Sequence, residues 1–164
     1  MIELARRQIQ AAREYTESLL QDLSDEEWYV MPDGCPSHIA WQVGHLAMAE
    51  YALCLLRVRG KLPEDATIIE NDFLRAFKKG SVPSSNAATH YSPQQLRDVL
   101  QRVHAHALQA IQGYDEAMLN EPLPEPYFVF PNKLGSLLFC AAHEMLHAGQ
   151  IGMIRRLLGK PPVR

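Results

Sequence analysis

Five residues near the end of the chain, His143-Glu144-Met145-Leu146-His147, hold the clearest chemical potential in the sequence. On a helix turning ~100° per residue, side chains four apart sit about 40° apart around the axis and roughly one turn, ~6 Å, apart along it. Two imidazoles then aim at one position and can share one metal ion. The pentad has the H-E-x-x-H form of zinc peptidases, whose glutamate serves as general base. Those enzymes draw a third ligand from further downstream, whereas Ala148 to Arg164 contains no His, Cys, Asp or Glu. A catalytic zinc site needs about three protein ligands and one open position. The third ligand must therefore come from upstream, and peptidase action is the least favoured reading.

Five further histidines are candidates. His90 lies among Ser and Pro residues, and His104 and His106 flank an apolar stripe at about 80° to either side. All three are expected at the solvent edge. His38 opens a helix and is expected at the mouth of a bundle. His45 differs: it shares a helix face with Trp41, Met48 and Ala52, where an uncompensated polar ring would be costly. Its depth of ~12 Å into its helix matches that of the final pair. The expected metal ligands are His45, His143 and His147.

Three neutral imidazoles without a soft ligand suit zinc or nickel, with iron also open. A free coordination position can lower the pKa of water toward ~7 or hold a thiol as thiolate, and both mechanisms stay open at this point. Glu144 is the candidate base beside a ligand; the alternative is a helix-surface glutamate about 100° from His143, paired with a basic residue. Gln150 shares the face of His147 and is expected to support it by hydrogen bonding, since a neutral amide competes poorly for such a metal. Trp41 either lines the pocket beside His45 or fills the core. Gly149 and Gly152 each cost the last helix roughly 1 kcal/mol relative to alanine, which predicts close approach by another helix or a dimer partner.

The elements that must position these residues are helices. Apolar periodicity predicts four, spanning about 2–23, 38–59, 92–114 and 132–158, with a short helix around 71–79. Ser92-Pro93-Gln94-Gln95 has the form of a capping box with proline in the first turn, and Gly60 and Gly159 read as stops. Tyr127-Phe128-Val129-Phe130, hemmed by prolines, does not read as a competing strand. The roughly 30 residues between the second and third long helices can return along a ~33 Å helix, so those two can run parallel. An all-α, up-down-down-up four-helix bundle with a long crossover between helices two and three is expected, as one domain over 1–164.

Composition narrows the function classes. The 164 residues are 47% apolar with a net charge of −3, and the longest basic runs are Lys78-Lys79 and Arg155-Arg156, so no nucleic-acid surface is expected. The first turn is charged and the richest apolar stretch, Leu46 to Leu56, contains Glu50, which predicts a cytoplasmic protein without a membrane partner. Cys35, Cys54 and Cys140 are odd in number and widely spaced; neither a disulfide framework nor a cysteine zinc knuckle is expected, and Cys140 reads as a core residue.

Gly44-His45-Leu46 after Trp41, the final His-Glu-x-x-His-x-Gly-Gln-Ile from His143 to Ile151, and Arg-x-Leu-Gly-x-Pro-Pro from Arg156 to Pro162 resemble the DinB-like (YfiT-like) four-helix-bundle metalloproteins. That resemblance covers nearly the whole chain. It implies the up-down-down-up bundle, frequent homodimers, and a divalent metal on three histidines matching His45, His143 and His147. It also implies, for some members, transfer or isomerisation with a low-molecular-weight thiol such as bacillithiol, mycothiol or glutathione. The sequence thus points to a metal-dependent enzyme on a small-molecule substrate, foremost a thiol-dependent S-transferase or isomerase. The alternatives are a small-substrate hydrolase and a non-catalytic metal-binding protein.

Overall fold

The computed structural model describes residues 1–86, 91–127 and 130–163; the side chains of residues 126 to 130 and all of His90 lie outside that description. Helix α1 spans Ile2–Leu20. A 3-10 turn, Glu26–Tyr29, follows where Ser24 and Glu27 form half of a capping box, the Ser24 amide donating to Glu27 Oε2 at 2.8 Å. Helix α2, Ile39–Glu50, continues through a π turn, Tyr51–Leu56, into α3, Arg57–Arg59, and Gly60 ends it at φ 80°. The crossover holds α4, Asp65–Ile68, and α5, Asn71–Phe77.

Helix α6, Pro93–Gln112, starts at a complete capping box between Ser92 and Gln95. Short α7, Glu116–Asn120, leads to an antiparallel ribbon of β1, Pro122–Tyr127, and β2, Phe130–Asn132. The ribbon corrects the expectation of no strand: proline is tolerated in an isolated two-stranded edge, where half of the amides need no partner. Helix α8, Lys133–Leu157, is capped by Asn132 Oδ1 on the Gly135 amide.

Contacts along the helices fix their directions. Arg13 meets Glu144 and the Leu19 carbonyl meets Arg155, so α1 and α8 run parallel. Gln42 meets Gln150 and the Leu53 carbonyl meets Ser136, so α2 and α8 run antiparallel. Glu50 meets His104 and the Cys54 carbonyl meets Tyr114, so α2 and α6 run parallel. The bundle is up-down-down-up, as expected. The π turn widens α2 at Leu53 and Cys54, whose carbonyls accept from the Ser136 and Tyr114 hydroxyls at 2.8 and 2.9 Å; side chains of neighbouring elements thereby compensate the altered ladder.

Two apolar clusters fill the interior. One gathers Leu19, Leu20, Val43, Ala47, Leu100, Val103, Ala148 and Ile151. The other gathers Ile9, Ala12, Cys54, Ala107, Ile111, Leu137 and Cys140. Each long helix contributes one polar residue between its two apolar runs: Arg13, Glu50, His104 and Glu144. Arg13 Nε and Nη2 hold both oxygens of Glu144 at 2.7 and 3.1 Å, Nη2 also reaches Glu50 at 2.8 Å, and Nη1 donates to the Leu100 carbonyl at 3.0 Å. His104 Nδ1 donates to the other Glu50 oxygen at 2.7 Å. His104 is thus tied into a mid-bundle ionic layer, which corrects its expected place at the solvent edge; His106 is exposed.

Burial works against the charge of Arg13, and the two glutamates outweigh it, so its pKa is raised. Burial likewise works against the Glu50 carboxylate, and Arg13 with His104 holds its pKa below the ordinary value. The buried arc of α1 lies on Ala5, Ile9, Ala12, Arg13, Thr16 and Leu19, and Leu4 is 57% exposed. The stretch Ile39–Arg59 is long and apolar enough for a membrane span, with mean hydropathy 1.3, but 78% of that window is buried inside the protein.

Candidate metal centre

The antiparallel pairing of α2 and α8 brings His45 opposite His143 and His147. Their ring centroids lie 5.3 Å (His45 to His143), 4.7 Å (His45 to His147) and 4.5 Å (His143 to His147) apart. One ligand atom from each falls within 4.8 Å of the others. Bonds of ~2.0–2.1 Å to a shared ion in tetrahedral geometry put donors about 3.4 Å apart, so the rings must draw together by up to roughly 1.4 Å on binding.

Backbone packing aims the first of these rings. A Cβ on Gly44 would stand 2.4 Å from the Phe77 ring, so glycine is what lets the end of α5 lie on α2. That approach brings the Phe77 carbonyl to His45 Nδ1, which donates to it at 2.8 Å. A carbonyl can only accept; the proton is held on Nδ1 and the Nε2 lone pair stays free for a metal. Trp41 stacks on His45 at 4.8 Å with planes 9° apart, and its Nε1 donates to Ser81 Oγ at 2.9 Å. Trp41 is half-buried and forms a wall beside the ligands, with Phe139 5.6 Å from His143 on the other side.

His147 is aimed by Gln42, a residue to which the sequence reading gave no role. Its Oε1 accepts from His147 Nδ1 at 2.5 Å, while its Nε2 donates to Ser37 Oγ and to Gln150 Oε1, each at 2.9 Å. Gln150 reaches His147 through Gln42. A buried glutamine in an otherwise apolar helix, three residues before His45, was the available signal.

Glu144 is paired with a basic residue, as one expectation had it, but lies inside the bundle and not on its surface. It is 2% exposed and both its oxygens are engaged by Arg13, because 100° of helix rotation turns it from the histidine edge into the bundle centre. The surface reading is corrected, and the carboxylate is committed to the ionic layer. His38 caps α2: its Nδ1 accepts from the Trp41 amide and its Nε2 donates to the Ser84 carbonyl at 2.9 Å, so both ring nitrogens are engaged outside the cluster. Cys140 and Cys54 are buried beside each other, and the hydrogen bond between their thiols together with burial raises Cys140 well above the ordinary thiol value. Among the described residues, Gly149 and Gly152 would meet nothing within 4 Å on gaining a Cβ, so the intramolecular helix approach expected for them is not found there.

All three candidate ligands are held neutral. Burial lowers His45 despite its Phe77 hydrogen bond; burial and then His45 lower His143 to about 4; burial, then His143 and His45, lower His147 to about 3. In the unfolded chain these rings titrate near ~6.5. Below that value the unfolded chain binds more protons than the metal-free fold, so stability contributed by neutral rings is present above pH ~6.5 and is lost as pH falls toward the folded values. Between pH 6.5 and 5, above the carboxylate range, the metal-free protein is expected to lose urea resistance steadily. A His143→Gln/His147→Gln variant is expected to show a shallower slope; equal slopes would refute the assignment.

A four-helix bundle with three converging imidazoles between its second and last long helices defines the class: a helical-bundle protein with a candidate metal centre. The family model of the DinB superfamily matches residues 8–151, and this chain belongs to that superfamily. Its fold is shared with a solved structure described as the conserved protein of a locus from Enterococcus faecalis, at 19% identity, TM-score 0.76 and 98% coverage of both chains. No curated protein is significantly similar to the chain.

Proposed function

We propose that this chain is a cytoplasmic metalloenzyme that transfers a low-molecular-weight thiol to a small electrophile, or isomerises such an adduct, at a divalent metal held by His45, His143 and His147. The observation that carries the reading is the convergence of three neutral imidazoles, two of them with Nδ1–H tied back to Phe77 and Gln42. Zinc or nickel fits that all-nitrogen set, and iron is accommodated by the same donors. When bound, such an ion supplies a Lewis-acid position where a water or thiol loses its proton near neutral pH.

The residues favour thiol over water as nucleophile. Free thiols need far less activation, with pKa ~8.5 against 15.7 for bulk water. Glu144, the expected base for a hydrolase, is committed to Arg13. Cys54 and Cys140 are buried with raised pKa values and the Cys35 thiol is bonded to the Ser37 carbonyl, which favours a thiol from outside the chain. Trp41 and Phe139 set aromatic rings beside His45 and His143, apolar neighbours for an electrophile bound there.

A homodimer is part of the proposal. The outer arc of α8 exposes Met145 at 48%, Leu146 at 62%, Met153 at 50% and Leu157 at 55%, with Gly149 open among them. Leu146, Gly149, Met153 and Leu157 lie at three- and four-residue spacing along one side, with Met145 beside them, and suit a second helix.

Transfer to a halogenated aromatic or an epoxide is expected with at least one of bacillithiol, mycothiol and glutathione, and is expected to vanish on metal depletion. Equal rates with and without metal, or no rate with any thiol across a broad electrophile panel, would overturn the transferase reading in favour of hydrolysis or metal binding without turnover.

A further inference from the structure

Gln42 is 1% exposed, and both ends of its amide are committed. That arrangement sets it apart from the Phe77 carbonyl on His45, which can only accept. A glutamine amide can turn over, presenting Oε1 or Nε2 to the same neighbour. With Oε1 toward His147, the ring must carry its proton on Nδ1 and its Nε2 is free. With Nε2 toward His147, the ring must accept at Nδ1, and the proton moves to Nε2, where it blocks ligation. Imidazole left to itself in water prefers the Nε2–H form, so the ligating tautomer has to be imposed.

We infer that Gln42, which accepts from His147 Nδ1 while its Nε2 bonds Ser37 and Gln150, is the positioning residue that makes His147 a ligand. This rests on the reading of the three histidines as a metal centre. Gln150 Oε1 accepts from Gln42 Nε2 at 2.9 Å from the side opposite His147, and Ser37 Oγ takes the second amide hydrogen at 2.9 Å. Turning the Gln42 amide over would set its oxygen against Gln150 Oε1, an acceptor facing an acceptor, and would oblige Gln150 to turn as well. The three side chains form one chain of directed bonds that starts at the half-open rim and ends on a candidate ligand.

The test uses the whole protein in three forms: wild type, Gln42→Leu and Gln42→Glu. Two quantities are read, the tautomer of His147 in the metal-free state from ¹⁵N ring shifts, and the zinc dissociation constant by chelator competition. Wild type is expected to show Nδ1–H at His147. Gln42→Leu is expected to shift His147 toward Nε2–H and to weaken zinc about 10–100-fold, the usual loss when a ligand's hydrogen-bond partner is removed. Gln42→Glu, which can only accept at that position, is expected to keep Nδ1–H and bind zinc at least as tightly as wild type. A purely structural role predicts instead that both variants weaken zinc alike.

Nε2–H at His147 in the wild type, or Gln42→Leu retaining Nδ1–H with zinc affinity within twofold, would overturn the inference. Should Gln42→Leu fail to fold, the wild-type tautomer and the Gln42→Glu affinity still decide it. Wild type that shows Nδ1–H yet binds no zinc would sink the metal reading while leaving the role of Gln42 in fixing the tautomer standing.

Discussion

Replacing Arg13 by methionine is expected to destabilise the fold by about 3–5 kcal/mol, the cost of breaking a buried ion pair from one side. Arg13 is 1% exposed and holds three acceptors at once: Glu144 through both oxygens, Glu50, and the Leu100 carbonyl. Without it two carboxylates remain in the bundle centre, one of them hydrogen-bonded by His104. Against a typical total of ~5–15 kcal/mol, that loss is a large fraction. It should appear as a lower urea midpoint with an unchanged slope and a melting temperature reduced by about 6–20 °C.

The triple change Arg13→Met, Glu50→Gln, Glu144→Gln is expected to recover much of the loss, because most of the cost lies in the orphaned charges. An Arg13→Met protein within ~0.5 kcal/mol of wild type would show that the layer is not a structural element at all. The layer places one residue from every long helix at one height, between two apolar clusters. A one-turn slip of any helix would pull its member out, and fixed register is what the α2–α8 metal centre needs.

The sequence showed which way side chains face but not what they meet. The stripe Leu96, Leu100, Val103, Ala107 and Ile111 is buried as periodicity predicts, and the capping box at Ser92 forms as its residues predict. His45 was legible because a polar ring on an apolar face must have a purpose, and the pair His143 and His147 because spacing alone aims them. Arg13 was not legible, since an arginine inside a helical arc reads as its edge until two glutamates 37 and 131 residues away are brought to it. Glu144 was misplaced for the same reason: adjacency to a ligand in sequence is 100° of rotation in space. Gln42 needed the third dimension as well, for Ser37 is near it in sequence but Gln150 and His147 are more than a hundred residues away. The ribbon of β1 and β2 was hidden by its prolines, which argue against a central strand and say nothing against an edge.

The second large effect concerns the metal itself. Removing any one imidazole leaves two donors, too few for the three-ligand set of a catalytic site. His45→Ala, His143→Ala and His147→Ala are each expected to weaken metal binding by about two orders of magnitude or more, beyond the 10–100-fold expected for loss of a supporting hydrogen bond. Each should also leave the fold intact, since these rings lie outside the ionic layer. His38→Ala and His106→Ala are the controls and are expected to retain full stoichiometry, because His38 has both nitrogens engaged elsewhere and His106 is exposed. Elemental analysis of the purified, zinc-reconstituted protein and these five variants tests the metal centre most directly. The expected result is one metal per chain in wild type and both controls, with substoichiometric metal in each of the other three. Full stoichiometry in His45→Ala, or no metal in the wild type, would contradict the assignment of His45, His143 and His147 as the ligands.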